Sequence, residues 1–332
     1  MAVPAILVTG GAGFIGSHTC KALAASGYLP ITLDNMSRGH REDVRWGPLI
    51  EADTRQTARV AAALRQYRVA AVIHFAAFAY VGESVTRPED YYDNNVGGTL
   101  SLLRACREAK VDKVLFSSSC ATYGVPDRVP IAEEAPQRPI TPYGRTKLIG
   151  EQVLADFAGA YGLRHAILRY FNAAGADPEG DLAERHDPET HLIPRALMAA
   201  AGRSPALEIL GTDYPTPDGT CIRDYIHVSD LAEGHRLALD HLLRGGPDLA
   251  LNLGTGQGHS VLDVLRAIRR ATGREVPTRL CPRRPGDPPA LVADPGRARR
   301  VLGFAPRLSD IETMIRHAAP GFGVELCHEE HS

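Results

Sequence analysis

The stretch TGGAGFIG, residues 9–16, follows an apolar strand-like run and precedes a helical pattern. Its Gly10, Gly13 and Gly16 stand at G-x-x-G-x-x-G spacing. Because glycine has no Cβ, this spacing permits a tight turn and lets backbone N–H groups at the helix N-terminus approach a pyrophosphate. Such a turn can also be purely structural, but its position between a strand and a helix favours a dinucleotide site.

Around this loop, short apolar runs alternate with helix-length segments. The predicted strands cover residues 5–9, 30–34, 48–52, 69–75, 113–117 and 164–170, and the predicted helices cover 14–26, 54–67, 88–110 and a segment from 142. This alternation is typical of a parallel sheet buried on both faces. The sequence therefore predicts an α/β fold, with a doubly wound parallel-sheet Rossmann domain at 1–171. A long polar stretch at 172–190 opens a smaller α/β substrate-binding lobe, mainly 172–332 and interleaved with the first domain.

The second predicted strand ends at Asp34, 24 positions after Gly10. An acidic residue at about this distance bonds the adenosine ribose 2′-hydroxyl, and its charge repels a 2′-phosphate. We therefore expect NAD rather than NADP as the cofactor. Asp34 is followed by Asn35, and Asp-Asn is also good turn chemistry, so a structural role for Asp34 stays open.

The composition is that of an ordinary globular protein. Hydrophobic residues make up 44% and charged residues 23% of the chain, and the formal net charge of −2 gives no electrostatic reason to expect a nucleic acid or membrane partner. We expect a small-molecule ligand instead. The six cysteines are widely spaced without a C-x-x-C, which argues against a zinc knot or a disulfide framework, and no metal site is predicted. Without a signal peptide or a long apolar run, the expected location is the cytoplasm.

A second informative stretch is TPYGRTK, residues 141–147. Thr141 is suited to cap a helix in which Pro142 is the first residue. On such a helix Tyr143 and Lys147 share a face, because residues four apart lie about 5–6 Å from each other at Cβ. The ammonium can then lie beside the phenol.

The glycine loop, the Ser117-Ser-Ser119 run and the Tyr143/Lys147 pair, in this order, resemble the extended short-chain dehydrogenase/reductases. The segments that also resemble the nucleotide-sugar 4-epimerases of this family are HFAAFAYVGES (74–84), YYDNNVGGTL (91–100), FSSSCATYG (116–124), RYFNAAG (169–175) and GTCIRDYIHVSDL (219–231). The resemblance runs from Val8 to about Leu302 and fades in 321–332, which lacks the Trp-containing ending common in the family. It implies a homodimer formed through the helices at 88–110 and 142–160.

The resemblance implies reversible C4 epimerisation of a UDP-hexose, UDP-glucose or UDP-galactose, through a 4-keto intermediate with transient hydride transfer to bound NAD. A UDP-xylose/UDP-arabinose 4-epimerase and a non-catalytic NAD-binding regulator are the alternatives. At the position of Leu291, a tyrosine excludes N-acetylated sugars in the family and a small residue admits them. Leucine is intermediate, so plain UDP-hexoses are favoured.

The implied catalytic residues are Ser119, Tyr143 and Lys147. An unperturbed tyrosine is only about 0.1% ionised at pH 7. The Lys147 ammonium and an oxidised nicotinamide ring are expected to lower the pKa of Tyr143, so that it acts as the base while Ser119 relays the proton of the 4-hydroxyl. Related enzymes that dehydrate or decarboxylate the sugar carry a carboxylate where this chain has Cys120 and Ala121, so elimination lacks its acid or base.

The resemblance also implies two sets of ligand-binding residues. The cofactor set is Gly10, Gly13, Phe14, Ile15, Gly16, Asp34, Asn35, Asp53, Phe75, Ala76, Asn94, Ser117, Tyr143, Lys147 and Tyr170. The substrate set is Ser119, Tyr143, Asn172, His191, Leu192, Arg223, Arg284 and Asp287. In the second set Arg223 and Arg284 are expected to grip the diphosphate and Asp287 the uridine ribose, since guanidinium forks suit phosphate oxygens. Taken singly, each of these charged residues is equally consistent with a solvated or ion-paired surface group.

Overall fold

The computed structural model describes residues 3–284 and 287–327, so the C-terminal segment 321–332 is described only to residue 327. The strands are β1 Ala5–Thr9, β2 Leu29–Asp34, β3 Leu49–Glu51, β4 Ala71–His74, β5 Lys113–Ser119, β6 Arg164–Tyr170, β7 Asn172–Ala174, β8 Leu207–Leu210, β9 Ile222–His227, β10 Leu249–Leu253, β11 Gly258–Ser260, β12 Thr278–Cys281 and β13 Ala290–Leu291. The helices are α1 Phe14–Ala25, α2 Thr57–Gln66, α3 Val81–Thr86, α4 Pro88–Tyr91, α5 Gly98–Ala109, α6 Pro142–Tyr161, α7 Leu192–Ala200, α8 Val228–Leu243, α9 Val261–Thr272, α10 Gly296–Leu302 and α11 Ile311–Ala318.

The main sheet has seven strands in the order β10-β6-β5-β4-β1-β2-β3, and all its neighbours pair in parallel. Thr9 at the end of β1 lies opposite Leu33 of β2 and His74 of β4. Strands β2 and β3 are added on one side of β1, and β4, β5 and β6 are then added on the other side. This change of direction leaves a crevice at the carboxyl ends of β1 and β4. Open α/β sheets bind their ligands at this switch point. The predicted doubly wound parallel sheet is confirmed.

Two apolar layers cover this sheet. Leu7 and Val114 lie in the layer that includes side chains of α2 and α5, whereas Ile6 and Ile73 lie in the layer that includes side chains of α1 and α8. All four side chains are fully buried. Successive strand residues point to opposite faces, so burial on both faces explains why these strands are continuously apolar.

The second lobe has its own small sheets and core. β11, β9 and β13 form one sheet, which β7 extends by pairing with β9, and β8 pairs with β12. Residues of α7, α9 and α11 form the apolar cluster beside them. The division at residue 171 does not separate the two sheets by sequence, because β10 returns to the edge of the main sheet next to β6.

Two local features differ from the sequence prediction. The stretch 172–190, predicted as loosely structured, begins with the strand Asn172–Ala174. The predicted helix 88–110 is interrupted by a π-helical segment at Tyr92–Gly97. Such an insertion widens one turn of a helix, and here the segment carries Asn95, whose side chain is hydrogen-bonded to the backbone of Phe78.

Helix α6 begins where its sequence predicts. The hydroxyl of Thr141 accepts a hydrogen bond from the backbone N–H of Gly144 at 3.2 Å, and Pro142 occupies the first turn. The helix ends at Gly162, whose φ of 71° is readily adopted only by glycine. These signals fix the position of Tyr143 at the start of the helix.

Candidate active site

The glycine loop lies against the end of β4. Gly10 has φ of +71°, and a Cβ there would come within 2.7 Å of the backbone nitrogen of Ala76. A Cβ on Gly16 would lie 2.1 Å from the carbonyl oxygen of Gly10. Side chains are therefore excluded from both positions, and the backbone at the start of α1 is left open to a ligand. This cradle and its helix N-terminus suit a pyrophosphate.

Asp34 ends β2 beside this loop. One of its carboxylate oxygens accepts a hydrogen bond from the backbone N–H of Ala12 at 3.1 Å, and the other accepts one from Met36 at 2.9 Å. Burial raises the pKa of Asp34, and the two N–H donors oppose that shift. The side chain therefore braces the turn, as the structural interpretation expects, and its contact with a ribose hydroxyl stays a prediction.

Asn35 and Asp53 form a polar group next to Asp34. The amide of Asn35 donates to Asp53 at 2.9 Å, and Arg55 pairs with the same carboxylate at 2.9 Å. Hydrogen bonds from Arg55 hold the pKa of Asp53 well below its usual range. This carboxylate is therefore ionised at neutral pH.

The predicted cofactor residues at the ends of β4 and β6 also lie at the switch point. The backbone N–H groups of Phe75 and Ala76 donate to the carbonyl of Thr9 at 3.0 and 3.1 Å. The hydroxyl of Tyr170 is hydrogen-bonded to that of Ser117. Together they line the carboxyl ends of four neighbouring strands.

The structure brings Ser119, Tyr143 and Lys147 together in one buried site. Ser119 is the last residue of β5, and its hydroxyl accepts a hydrogen bond from the N–H of Ala121 at 3.1 Å. The ammonium of Lys147 donates to the carbonyl of Ser117 at 2.7 Å and lies 5.9 Å from the centre of the Tyr143 ring. Tyr143 and Ser119 are each 8% exposed and Lys147 is 3% exposed.

The electrostatics of this site differ from the expectation. Burial raises the pKa of Tyr143, and its hydrogen bond with Ser119 opposes that shift only in part. Burial also lowers the pKa of Lys147 to about 7, against the attraction of Glu151. Removal from water disfavours the charged form of both groups and is the largest cause of both pKa shifts. Within the chain itself, Lys147 therefore does not make Tyr143 acidic.

A buried ion pair behind the site was missed by the sequence analysis. Glu151 follows Lys147 by one helical turn and pairs with Arg169 of β6 at 2.7 Å. Its carboxylate also accepts a hydrogen bond from the hydroxyl of Ser118, which lies between the two serines that face the site. The signal available in the sequence was the i, i+4, i+8 series that Tyr143, Lys147 and Glu151 form on one helix.

Asn95 is a second positioning residue that the sequence analysis missed. Its side-chain oxygen accepts from the N–H of Phe78 at 2.8 Å, and its amide donates to the Phe78 carbonyl and to the Thr146 hydroxyl, each at 3.0 Å. These bonds join the segment after β4 to α6. The neighbouring Asn94, which the sequence analysis did select, is half-buried and bonds to Asn95 at 3.0 Å.

The predicted diphosphate and ribose contacts lie in the second lobe. Arg223 of β9 pairs with Asp287 at 2.5 Å. Leu291 lies opposite Arg223 in the β9–β13 register and is buried. Arg284 is exposed. Arg223, Asp287 and Leu291 are thus neighbours in the structure, whereas Arg284 lies at the surface.

The remaining substrate candidates lie on the two segments that lead into the second lobe. Asn172 is the first residue of β7 and lies opposite Tyr225 of β9. His191 is the residue before α7, and Leu192 is the first residue of that helix. All three candidates are half-buried, so their side chains are open to a ligand.

The turn after β5 offers no ionised acid or base. Cys120 and Ala121 lie in a short 3₁₀ turn at Cys120–Thr122. Burial raises the pKa of the Cys120 thiol to about 12, so the thiol stays neutral at physiological pH. The hydroxyls of Ser119 and Tyr143 are therefore the candidate proton-transfer groups at this strand end.

A parallel sheet with a glycine cradle at its switch point and a buried serine, tyrosine and lysine beside it defines a nicotinamide-dependent α/β enzyme. Residues 6–254 match the model of the NAD dependent epimerase/dehydratase family. The chain belongs to this family, and the predicted NAD cofactor is confirmed.

Three relatives illustrate the similarity. The chain is 53% identical over 318 residues to the UDP-glucose 4-epimerase of Rhizobium leguminosarum bv. trifolii, which covers 96% of this chain and 97% of that protein. The crystal structure of UDP-glucose 4-epimerase from Brucella ovis in complex with NAD is 60% identical, with a TM-score of 0.96 and coverage of 98% and 100%. The Stenotrophomonas maltophila enzyme, with bound NAD and formylated UDP-arabinopyranose, is 42% identical, with a TM-score of 0.93 and coverage of 96% and 98%. In the described part of the chain, no helix combines the length and apolarity needed to cross a bilayer.

Proposed function

We propose that the chain catalyses the reversible C4 epimerisation of a UDP-hexose, interconverting UDP-glucose and UDP-galactose through a 4-keto intermediate. The observation that carries this proposal is the buried group of Ser119, Tyr143 and Lys147 beside the glycine cradle. Similarity to UDP-glucose 4-epimerases over nearly the whole chain supports the same substrate pair.

The proton transfers belong to the hydroxyls of Ser119 and Tyr143. A bound NAD would supply the acceptor for the hydride of the sugar C4 and the donor for its return to the opposite face. Tyr143 takes the proton of the 4-hydroxyl, directly or through Ser119, and gives it back after the 4-keto sugar has turned over in the site. The burial that raises the pKa of Tyr143 makes positive charge near the phenol necessary in the first step.

Lys147 and Asp34 position the cofactor in this mechanism. A lysine ammonium on its flexible stem can reach both the phenol and a nicotinamide ribose, and it lies 2.7 Å from the Ser117 carbonyl at the end of β5. The positive charge of a bound oxidised nicotinamide ring would further favour the Tyr143 phenolate. Asp34 would hold the adenosine ribose and repel a 2′-phosphate.

Elimination is disfavoured at this site because Cys120 and Ala121 supply no ionised acid or base after β5. Oxidation followed by reduction at the same carbon therefore remains. NAD is regenerated in each cycle, and no second substrate is needed.

The second candidate is 4-epimerisation of UDP-pentoses. The similar Stenotrophomonas maltophila structure holds formylated UDP-arabinopyranose, which favours this alternative. The buried Leu291 opposite Arg223 leaves less room than a small residue would, so N-acetylated sugars should be poorer substrates. Assays of UDP-galactose, UDP-xylose and UDP-GlcNAc side by side rank the three.

We also propose a homodimer in the cytoplasm. The helices assigned to the family's dimer interface correspond to α5 and α6 with the π-helical segment, and Tyr161 at the end of α6 is 55% exposed. Light scattering should give twice the 35.8 kDa mass of one chain.

The proposed cytoplasmic location is supported by the cysteines. All six are free, which suits a reducing compartment.

The direct test is incubation of the purified protein with UDP-galactose and no added cofactor, followed by resolution of the sugars. Formation of UDP-glucose supports the proposal. If the protein contains NAD and forms no UDP-glucose, the proposal is wrong and a non-catalytic NAD-binding regulator is the better interpretation.

A further inference from the structure

Four side chains between β7 and α7 converge on one point. The Glu/His cluster consists of Glu184, His186, Glu189 and His191, and one nitrogen or carboxylate oxygen from each lies within 4.8 Å of all the others. Only His191 has a role in the proposed epimerisation, so most of this cluster has no function there.

The imidazole nitrogens and carboxylate oxygens of the cluster make more close contacts than their N–H groups can turn into hydrogen bonds. The Nδ1 atom of His191 lies 2.9 Å from Glu189 Oε1 and 3.0 Å from Glu184 Oε1. The Nδ1 atom of His186 lies 3.1 Å from the same Glu184 oxygen. Each ring nitrogen carries at most one hydrogen. A single cation among these atoms would satisfy contacts that two N–H groups cannot all satisfy.

One oxygen of the cluster lacks a partner. Glu189 Oε2 is buried without a hydrogen-bond partner in the described structure, and its distance to His186 Nδ1 is 3.5 Å. The Glu184 and Glu189 side chains are only 3% and 6% exposed. A buried carboxylate oxygen without a partner is costly, which indicates that this oxygen has a ligand.

In the described part of the chain, neither a lysine nor an arginine fills this role. Within residues 3–284 and 287–327, no lysine or arginine forms an ion pair with Glu184 or Glu189. A second acidic group differs in this respect, because Asp177, Glu179 and Asp181 surround the ammonium of Lys21 at 2.7–2.8 Å. The carboxylates of the Glu/His cluster thus face two imidazoles and, among the described residues, no lysine or arginine.

The segment that carries the cluster is held in place by the first domain. Arg185 pairs with Asp43 at 2.5 Å, and the ring of His40 bonds to the Arg185 carbonyl at 2.7 Å. The His186 ring packs edge-on against Phe14 of the glycine loop and against Tyr80, with centroids 6.1 and 6.0 Å apart. The ligands are therefore arranged before any ion arrives.

We propose that the Glu/His cluster binds one first-row divalent transition metal ion, with Zn²⁺ as the best fit. Ligands about 2.0–2.1 Å from a tetrahedral Zn²⁺ lie about 3.3 Å from each other. The four nitrogen–oxygen separations given above are 2.9–3.5 Å, with Glu189 Oε1 facing His191 and Glu189 Oε2 facing His186. Two carboxylates balance the charge of the ion. The two imidazoles favour a transition metal over Mg²⁺ or Ca²⁺. The ion fixes the segment that leads into α7 against the glycine loop.

The test uses the full-length, NAD-containing protein made without an affinity tag. Because the C-terminal residues His328 and His331 could also bind metal, they are first replaced by asparagine. After chelation and dialysis, the protein is titrated with Co²⁺, whose visible absorption reports tetrahedral sites, and then with Zn²⁺ as competitor. We expect one equivalent of each, and no comparable binding of Mg²⁺.

The variants Glu184→Gln and His186→Asn should weaken Zn²⁺ binding by at least about tenfold, the loss that even an outer-shell partner causes. Glu179→Gln in the Lys21 group is the matched control and should bind as the parent does. Absence of binding in the parent protein, or equal binding in all variants, would overturn the proposal. X-ray absorption of the zinc-loaded parent needs no variant to fold: two imidazoles and two oxygens support the site, whereas sulfur ligands refute it. An active epimerase without zinc would leave the proposed function intact.

Discussion

At the scale of single residues, the site must ionise a phenol whose surroundings disfavour its charge. Burial raises the pKa of Tyr143, and burial also lowers the pKa of Lys147 to about 7. Positive charge therefore has to come from the cofactor as well as from the lysine. In the proposed mechanism, proton removal by Tyr143 is therefore tied to the presence of oxidised NAD.

Replacing Tyr143 by phenylalanine removes the proton acceptor and leaves the ring that packs in the site. We expect turnover of UDP-galactose to fall by about 10²–10⁴-fold, the contribution typical of a general base, with NAD content unchanged. The measurement is kcat together with the absorbance of bound cofactor. Tyr161→Phe, at the exposed end of the same helix, is the control and should keep full activity. Near-normal rates for the Tyr143 variant would show that the base is a different residue.

Lys147→Met tests the burial of the lysine in protein freed of NAD. Below about pH 7 the ammonium is charged in both the folded and the unfolded state, and its burial destabilises the fold. Between the folded pKa of about 7 and the ordinary value of 10.5, the unfolded chain binds more protons, so the free energy of unfolding rises with pH.

In urea titrations the Lys147→Met variant should lose this rise. Lys113→Met, which removes a partly exposed ammonium paired with Asp112, should retain it. If Lys147→Met and the parent protein show the same dependence on pH, the pKa of Lys147 is not lowered in the folded state.

The third residue prediction concerns the size of the sugar pocket. Leu291 is buried opposite Arg223, next to the proposed diphosphate site. Leu291→Ser should raise kcat/KM for UDP-GlcNAc by about tenfold or more and leave UDP-galactose less affected, because removal of steric exclusion acts on the larger sugar. Leu291→Tyr should have the opposite effect. An unchanged ratio of kcat/KM values for the two sugars in both variants would place the acetamido group elsewhere.

At the scale of elements, helix α6 positions the catalytic side chains and a buried ion pair fixes the helix. Glu151 of α6 and Arg169 of β6 are 5% and 6% exposed, and the guanidinium also donates to the Tyr123 hydroxyl at 3.0 Å. The pair therefore joins α6 to the sheet directly behind the serines of β5. Its charges are removed from water, so each partner depends on the other.

Glu151→Met and Arg169→Met should each lower the free energy of unfolding by about 3–5 kcal/mol, because each leaves an uncompensated buried charge. In the double variant, the loss of unfolding free energy should be much smaller than the sum of the losses in the two single variants. Urea unfolding of all four proteins gives the coupling energy. Additive losses would mean that the two charges do not depend on each other.

Local signals explain how closely the sequence predicted the elements. The bounds of β6 and the start of α6 were predicted to the residue because Pro142, Thr141 and the apolar run of β6 act locally. The π-helical segment and β7 were missed because both depend on distant partners. Asn95 bonds to Phe78 and Thr146, and β7 pairs only with β9.

At the scale of the whole molecule, the parallel sheet gathers the site from separate parts of the chain. The order β3-β2-β1-β4-β5-β6, extended by β10, brings the glycine loop, Asp34 and the β5 serines to one edge. The sequence indicated these motifs one by one, and the resemblance to a family put them in a single site. The pairing of Arg223 with Asp287 depends on how the second lobe folds, and no local pattern reveals this contact. The residues of the Glu/His cluster lie close together in the sequence, but the convergence of their side chains depends on the fold of that segment.

The central claim is that hydride leaves the sugar C4 and returns to the same carbon. The most direct test is to incubate the protein with UDP-galactose deuterated at C4, in ordinary water and without added cofactor, and to analyse the UDP-glucose by mass spectrometry and NMR. The account predicts that deuterium remains at C4 of the product throughout the approach to equilibrium. Replacement of that deuterium by solvent hydrogen would contradict it, because C4 would then exchange a proton with water rather than a hydride with bound NAD.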